Sequence, residues 1–196
     1  MSFTDQDEAL ISAALDGSAR SWERLVKRYE SRVYNFSLRL TGNPTDALDL
    51  MQEVFIGVYR NLHRFRGDSQ FTTWLFRIAH NKAVDMSRRK YMVTSLSSLA
   101  GQDQSEDDVL DHIAVDNGEQ DPQRLLSTTQ SNAEIIGHLD ILNWEQRLVV
   151  ELKVFQSHTF EEIAEMQDIS ANTAKTRFYT ALKLLKAHME QSHELS

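Results

Sequence analysis

The sequence predicts an all-α protein: two small helical domains joined by a flexible acidic linker. Three observations lead there. Apolar residues recur at three- and four-residue spacing through both ends of the chain, the mark of one-sided helices. Only 2 prolines and 7 glycines interrupt 196 residues, too few for a many-turned β fold. Between the two ends, residues 93–128 lose the periodicity and are rich in acids. A structureless stretch of that length does not belong inside a compact domain. It reads as a linker between residues 1–92 and residues 129–196.

A short helix over Asp5–Leu15, with Thr4 as N-cap, opens the chain. Trp22, Leu25, Val26, Tyr29, Val33, Phe36 and Leu40 then form one apolar stripe, and Gly42 ends that helix as a left-handed cap. Asn43 caps the next helix, with Pro44 at its first position and Asp46 in the first turn. Its buried face is Leu50, Met51, Val54, Phe55, Val58 and Leu62. A turn at Arg66–Ser69 leads into a long helix with Phe71, Trp74, Leu75, Ile78 and Ala79 facing inward. Arg77, Asn81 and Arg88 lie on another face.

The linker carries Asp103, Glu106, Asp107, Asp108, Asp111, Asp116, Glu119 and Asp121 before its first cation, Arg124. A weak helical turn is expected around Val109–Ile113. Periodicity returns at Ala133–Leu142. Asn143-Trp144-Glu145-Gln146 has the form of a capping box and opens a helix through Phe155. Thr159-Phe160-Glu161-Glu162 repeats the signature and opens a short helix over Phe160–Met166. Gln167-Asp168-Ile169 makes a tight turn, and Ser170 caps a longer helix. Short helix, turn and longer basic helix make a helix-turn-helix.

Charge is segregated. The chain has a formal net charge of -8. Yet Phe65–Lys90 holds Arg66, Arg77, Lys82, Arg88, Arg89 and Lys90 against only Asp68 and Asp85. Ser170–Ala187 holds Lys175, Arg177, Lys183 and Lys186 and no acid. Two separate polyanion-binding surfaces follow. Phe65, Phe71, Trp74 and Phe76 stud the first, as on a surface that handles unstacked bases. The acidic balance argues against a nonspecific DNA coat. It fits a protein that touches DNA locally and another partner elsewhere.

Other classes are disfavoured. The chain has no cysteine, so disulfides and thiolate metal sites are excluded. Its 7 histidines show no ligand spacing, and the linker acids lack the alternation and glycine of a calcium loop. There is no Gly-rich phosphate loop and no nucleophile constellation. The expectation is a protein without metal, cofactor or enzymatic activity. The opening MSFTDQDEAL has no signal-peptide layout, and no apolar run approaches a membrane span. A cytoplasmic location without membrane insertion is expected.

Three stretches point to a family: DALDLMQEVF at Asp46–Phe55, Phe65–Lys90, and EEIAEMQDISANTAKTRFYTAL at Glu161–Leu182. In that order they resemble the extracytoplasmic-function sigma factors of bacterial RNA polymerase. The most specific run is Phe71, Trp74, Leu75, Ile78, Ala79, Asn81, Asp85, Arg88 and Arg89. The resemblance implies core RNA polymerase and promoter DNA as partners. Residues 1–92 would bind the β′ clamp and open the -10 element, and residues 129–196 would read the -35 element and sit on the β flap. The linker would thread toward the RNA path, and an anti-sigma factor encoded elsewhere is a further candidate partner. Asp46, Asp49, Gln52 and Glu53 become the candidate polymerase contacts. Arg66, Trp74, Arg77, Asn81, Arg88 and Arg89 become the -10 candidates. Asn172, Thr173, Lys175, Thr176, Arg177 and Tyr179 become the -35 candidates.

The sequence departs from the family pattern in places. Leu48 stands where an acid is usual, Asp168 where the turn commonly has Gly, and Thr180 where the recognition helix usually has Arg. Blander readings stand beside these assignments. Phe71 and Trp74 serve as core residues first, and Arg88–Lys90 also suit a solvated helix end. Two other functions compete. One is a conventional helix-turn-helix regulator with an N-terminal helical sensor or dimerisation domain. The other is an adaptor that binds polymerase without reading DNA.

Overall fold

The computed structural model describes residues 3–100 and 134–194, and within them every regular element is helical. The first domain holds α1 (Phe3–Leu15), α2 (Ala19–Thr41), α3 (Pro44–Asn61) and α4 (Phe71–Ala100). The second holds α5 (residues 134–139), α6 (Trp144–Val150), α7 (Phe160–Gln167) and α8 (Ala171–Glu194). Residues 101–133, including the expected turn at Val109–Ile113, lie outside the described residues.

Local chemistry sets the boundaries. Gly42 adopts φ 69° and donates its N–H to Leu38 O at 2.8 Å, closing α2. The Asn43 side chain accepts from the N–H groups of Thr45 (2.8 Å) and Asp46 (3.1 Å), satisfying two orphan donors of α3. Both expected capping boxes are closed, Asn143 with Gln146 and Thr159 with Glu162. Asp168 turns the chain between α7 and α8 with φ 53° and ψ 48°, a left-handed conformation that Asp tolerates better than most residues. Ser170 Oγ accepts from the Thr173 N–H at 3.0 Å, capping α8.

Several expectations change. α1 begins at Phe3, so Thr4 lies inside the helix and is not its N-cap. α4 continues to Ala100, past residue 93 where the apolar pattern fades, because nothing in that stretch breaks a helix. The helix expected through Phe155 is α-helical only to Val150. It then widens into a π turn over Glu151–Phe155, with the Gln156 N–H reaching back to Glu151 O at 3.2 Å.

The largest correction concerns the aromatics of α4. Phe76 is completely buried, which removes it from any DNA-facing surface, while Phe71 is nearly so, as its place on the inward stripe predicts. Trp74 and Ile78 are only half-buried. The reason is that α4 is packed on two sides. Phe76 meets Phe36 of α2 (ring centroids 5.4 Å) on one side and His158 of the second domain (6.2 Å) on the other.

Leu25, Val33 and Phe36 of α2 meet Leu50, Val54 and Val58 of α3 and Leu75 and Ala79 of α4 in the main core. That core is continuous with Leu148, Val149, Leu152 and Ile163 of the second domain. A smaller cluster of Leu139, Leu142, Val150 and Ala181 joins α5 and α6 to α8.

Two histidines lie inside this packing. Burial pushes His158 below its ordinary range, and Arg32 and Lys153 push the same way. The nearby Glu162 carboxylate opposes them. Burial likewise lowers His80, against a smaller opposing contribution from Asn81. A depressed folded value means the unfolded chain takes up the proton first. The stability each neutral imidazole contributes is therefore complete above about pH 6.5 and is lost as pH falls below it. His158→Gln should flatten the fall in melting temperature between pH 7 and pH 5.5. Parallel curves for variant and wild type would contradict this.

Candidate nucleic-acid interface

The N-terminal half of α4 and the facing side of α3 enclose a cleft of about 320 Å³. Its walls are Gly57, Asn61 and Arg64 on one side and Trp74, Ile78, Asn81, Lys82 and Asp85 on the other. Gly57 matters for the closeness of the helices: a Cβ there would stand 3.1 Å from Ile78 Cγ2. The Trp74 indole is braced by Phe65 (5.4 Å) and Phe71 (5.8 Å). A braced, half-exposed indole next to amide and carboxylate groups can stack on a flat ring and hydrogen-bond to its edge. Nearly buried Phe71 holds that indole in place, so its role is support.

The six -10 candidates are distributed around this cleft and along α4. Trp74 and Asn81 line it, and Asn81 is exposed. Arg66 sits in the exposed loop before α4, beside Gly67 at φ 77°. Arg88 and Arg89 are exposed further along, with Arg89 Nε donating to Asp85 O at 3.3 Å. Arg77 stands apart. It is ion-paired with Glu165 of α7.

The α3 acids split into two kinds. Asp49 and Gln52 are exposed. Asp46 is paired with Lys90, and Glu53 accepts from Lys82 Nζ at 2.8 Å. The Lys82 hydrogen bond and charge hold Glu53 below the usual carboxylate range. Leu48 is half-buried.

Beside the acids runs a larger apolar groove of about 920 Å³, whose walls include Trp22, Met51, Phe55, Ile56 and Tyr59. Ile56 and Tyr59 remain 42% and 64% exposed, an unusual amount for large apolar side chains on a packed helix. Sequence reasoning assigned Met51 and Phe55 to the core and missed this groove. The available signal was that Ile56 and Tyr59 fall off the Leu50–Val54–Val58 stripe.

On α8, Asn172, Lys175, Thr176 and Tyr179 are exposed. Tyr179 packs on Phe178 (5.5 Å), and Lys175 lies over the Phe160 ring (5.8 Å). Thr173 is partly occupied by the cap, its Oγ1 2.8 Å from Ser170 Oγ. Arg177 is committed inward: it pairs with Glu145 at 2.7 Å and donates to Gln167 Oε1 at 3.1 Å. It fixes α8 against α6 and α7. α7, its turn and α8 have the arrangement in which a second helix enters a DNA major groove.

Residues 25–91 match the family described as sigma-70 region 2, and residues 134–185 match sigma-70 region 4. The chain is 31% identical over 176 residues to the RNA polymerase sigma factor YlaC of Bacillus subtilis, covering 89% of this chain and 95% of that protein. It is 30% identical over 183 residues to the ECF RNA polymerase sigma-E factor of Escherichia coli, covering 89% and 90%. Two solved structures share the fold. CnrH in complex with the cytosolic domain of CnrY has a TM-score of 0.64 at 21% identity, covering 95% of this chain and 99% of that one. The sigma factor RpoE in complex with the anti-sigma factor NepR from Bartonella quintana has a TM-score of 0.65 at 19% identity, covering 88% and 98%.

Proposed function

Because the chain belongs to the extracytoplasmic-function sigma factors of bacterial RNA polymerase, and so serves promoter recognition, we propose a division of labour among its surfaces. The α3–α4 cleft takes an unstacked base of the opened -10 strand. Trp74 stacks on it, and Asn81 and Asp85 address its edge. Arg66, Arg88 and Arg89 carry the strand's phosphates, where cations supply most of the affinity. α8 enters the -35 major groove with Asn172, Lys175, Thr176 and Tyr179. Thr173 and Arg177 position it.

The polymerase contact is the groove beside α3. Asp49 and Gln52 meet the core at its rim, and Met51, Phe55, Ile56 and Tyr59 supply buried apolar area. A half-buried Leu48 suits this edge, where apolar contact replaces a charge. The protein acts without catalysis of its own and works in the cytoplasm. Among the described residues no helix is long and apolar enough to cross a membrane.

The observation that carries this reading is the cleft: an aromatic wall, amide groups and a basic rim on the helix of the sigma-70 region 2 match. Gel shift on promoter duplex, with and without core polymerase, tests it. A sigma factor shifts the duplex selectively only with core. A conventional regulator would shift the duplex alone, and an adaptor would add no promoter selectivity to core.

A further inference from the structure

The face of α4 that lines the cleft continues beyond it. At about 3.6 residues per turn, Trp74, Ile78, Asn81, Asp85, Arg88 and Met92 fall on one stripe, with Met92 about five turns on from Trp74. Met92 is 63% exposed, and Tyr91 beside it is 77% exposed, the most of any large apolar side chain among the described residues. Arg88 and Arg89, both exposed, precede Met92 by four and three positions. Neighbours at those spacings frame a helical side chain from the turn before.

The packing explains the exposure. Gly57 against Ile78, Glu53 with Lys82 and Asp46 with Lys90 trace α3 backwards along α4 to the first turn of α3. Past Lys90, α4 has outrun its neighbour. Met92 and Tyr91 therefore contribute little to the core, and their exposed apolar surface is available to a partner.

The surroundings say which partner. Guanidinium groups hold phosphates, and an apolar side chain set between them meets base edges. An α-helix fits the DNA major groove, about 12 Å wide, and not the minor groove, about 6 Å wide. The apolar feature on a major-groove edge is the thymine methyl. At about 1.5 Å per residue, Met92 lies about 16 Å beyond Asn81, or about five base-pair steps of 3.4 Å. The chain leaves this end of α4 toward the domain that takes the -35 element, so the tip faces the upstream duplex bordering the opened strand.

We propose that Met92, with Tyr91 beside it, is a further specificity contact, which reads a thymine methyl in the major groove just upstream of the -10 element. Arg88 and Arg89 hold the phosphates that flank it. The proposal rests on the strand-binding reading of the cleft and adds a base preference that the cleft does not reach.

Holoenzyme assembled from core polymerase and the full chain tests it. A promoter that the holoenzyme opens is given a T·A or A·T pair at each upstream position in turn. Each thymine is then replaced by deoxyuridine, which lacks only the methyl. At one position, or two adjacent ones, deoxyuridine should weaken open-complex formation about fourfold, the worth of one buried methyl group. Met92→Ala should open thymine and deoxyuridine templates equally. Met92→Leu keeps an apolar tip and should keep the preference. Met92 is exposed, so both variants should melt as wild type does.

Deoxyuridine tolerated at every upstream position would overturn the contact. So would a thymine preference that survives in Met92→Ala, because another residue would then read the methyl. Permanganate reactivity of the -10 strand on the same templates separates the two readings. Opening without a methyl preference overturns the Met92 contact alone, and no opening on any template overturns the reading of the cleft with it.

Discussion

Phe76→Ala should lower the unfolding free energy by about 3–5 kcal/mol, the usual loss for emptying a buried Phe site. Phe76 has no exposed surface and is enclosed by Phe36, His158 and the Arg32 guanidinium 5.3 Å from its ring. Neighbours from two domains cannot collapse easily into the space, which places the effect toward the upper end. Denaturant titration followed by circular dichroism measures it. A loss below about 1 kcal/mol would mean that the site is far more open than its packing indicates. The residue lies within the basic stretch that suggests DNA contact. Its substitution should therefore affect stability first and promoter opening only as a consequence.

Trp74→Ala should do the reverse. Its indole is half-buried and forms one wall of the α3–α4 cleft, braced by Phe65 and Phe71. Loss of a stacked base costs roughly 1–3 kcal/mol, or about 5- to 150-fold in open-complex formation. The fold should persist, because Leu75, Phe76 and Ala79 carry the buried face of α4. Trp74→Phe keeps a stacking surface and should recover most of the activity. Equal open-complex yields for wild type and Trp74→Ala, with the variant folded, would remove Trp74 from the strand-contact surface.

The contrast between these neighbouring aromatics shows what sequence could and could not give. Caps and turns were legible because their chemistry is local. Gly42, Asn43, Asn143, Thr159, Asp168 and Ser170 each meet partners within a few residues. The charge runs were legible, and Arg88, Arg89 and Lys175 within them are exposed.

What depends on contacts distant in sequence was not legible. Phe76 is off the main apolar stripe of α4 and is enclosed between Phe36 of α2 and His158 of the second domain. Arg77 looks like its basic neighbours, but it is paired with a residue on α7. Arg177 looks like a DNA contact in a basic helix, but Glu145 and Gln167 draw it inward. Arg39 and Glu151 are separated by 112 positions, and no local pattern marks them as partners. The apolar groove beside α3 was hidden because Met51 and Phe55 fit a core stripe as well as they fit a docking surface.

The most direct measurement is permanganate footprinting of promoter DNA with purified core polymerase and this chain. The account predicts reactive thymines across the -10 region when core and chain are both present. They should be absent with either component alone and sharply reduced with Trp74→Ala at equal bound polymerase. Undiminished -10 reactivity with the folded Trp74→Ala variant, or no opening at any promoter that the chain and core occupy together, would contradict it.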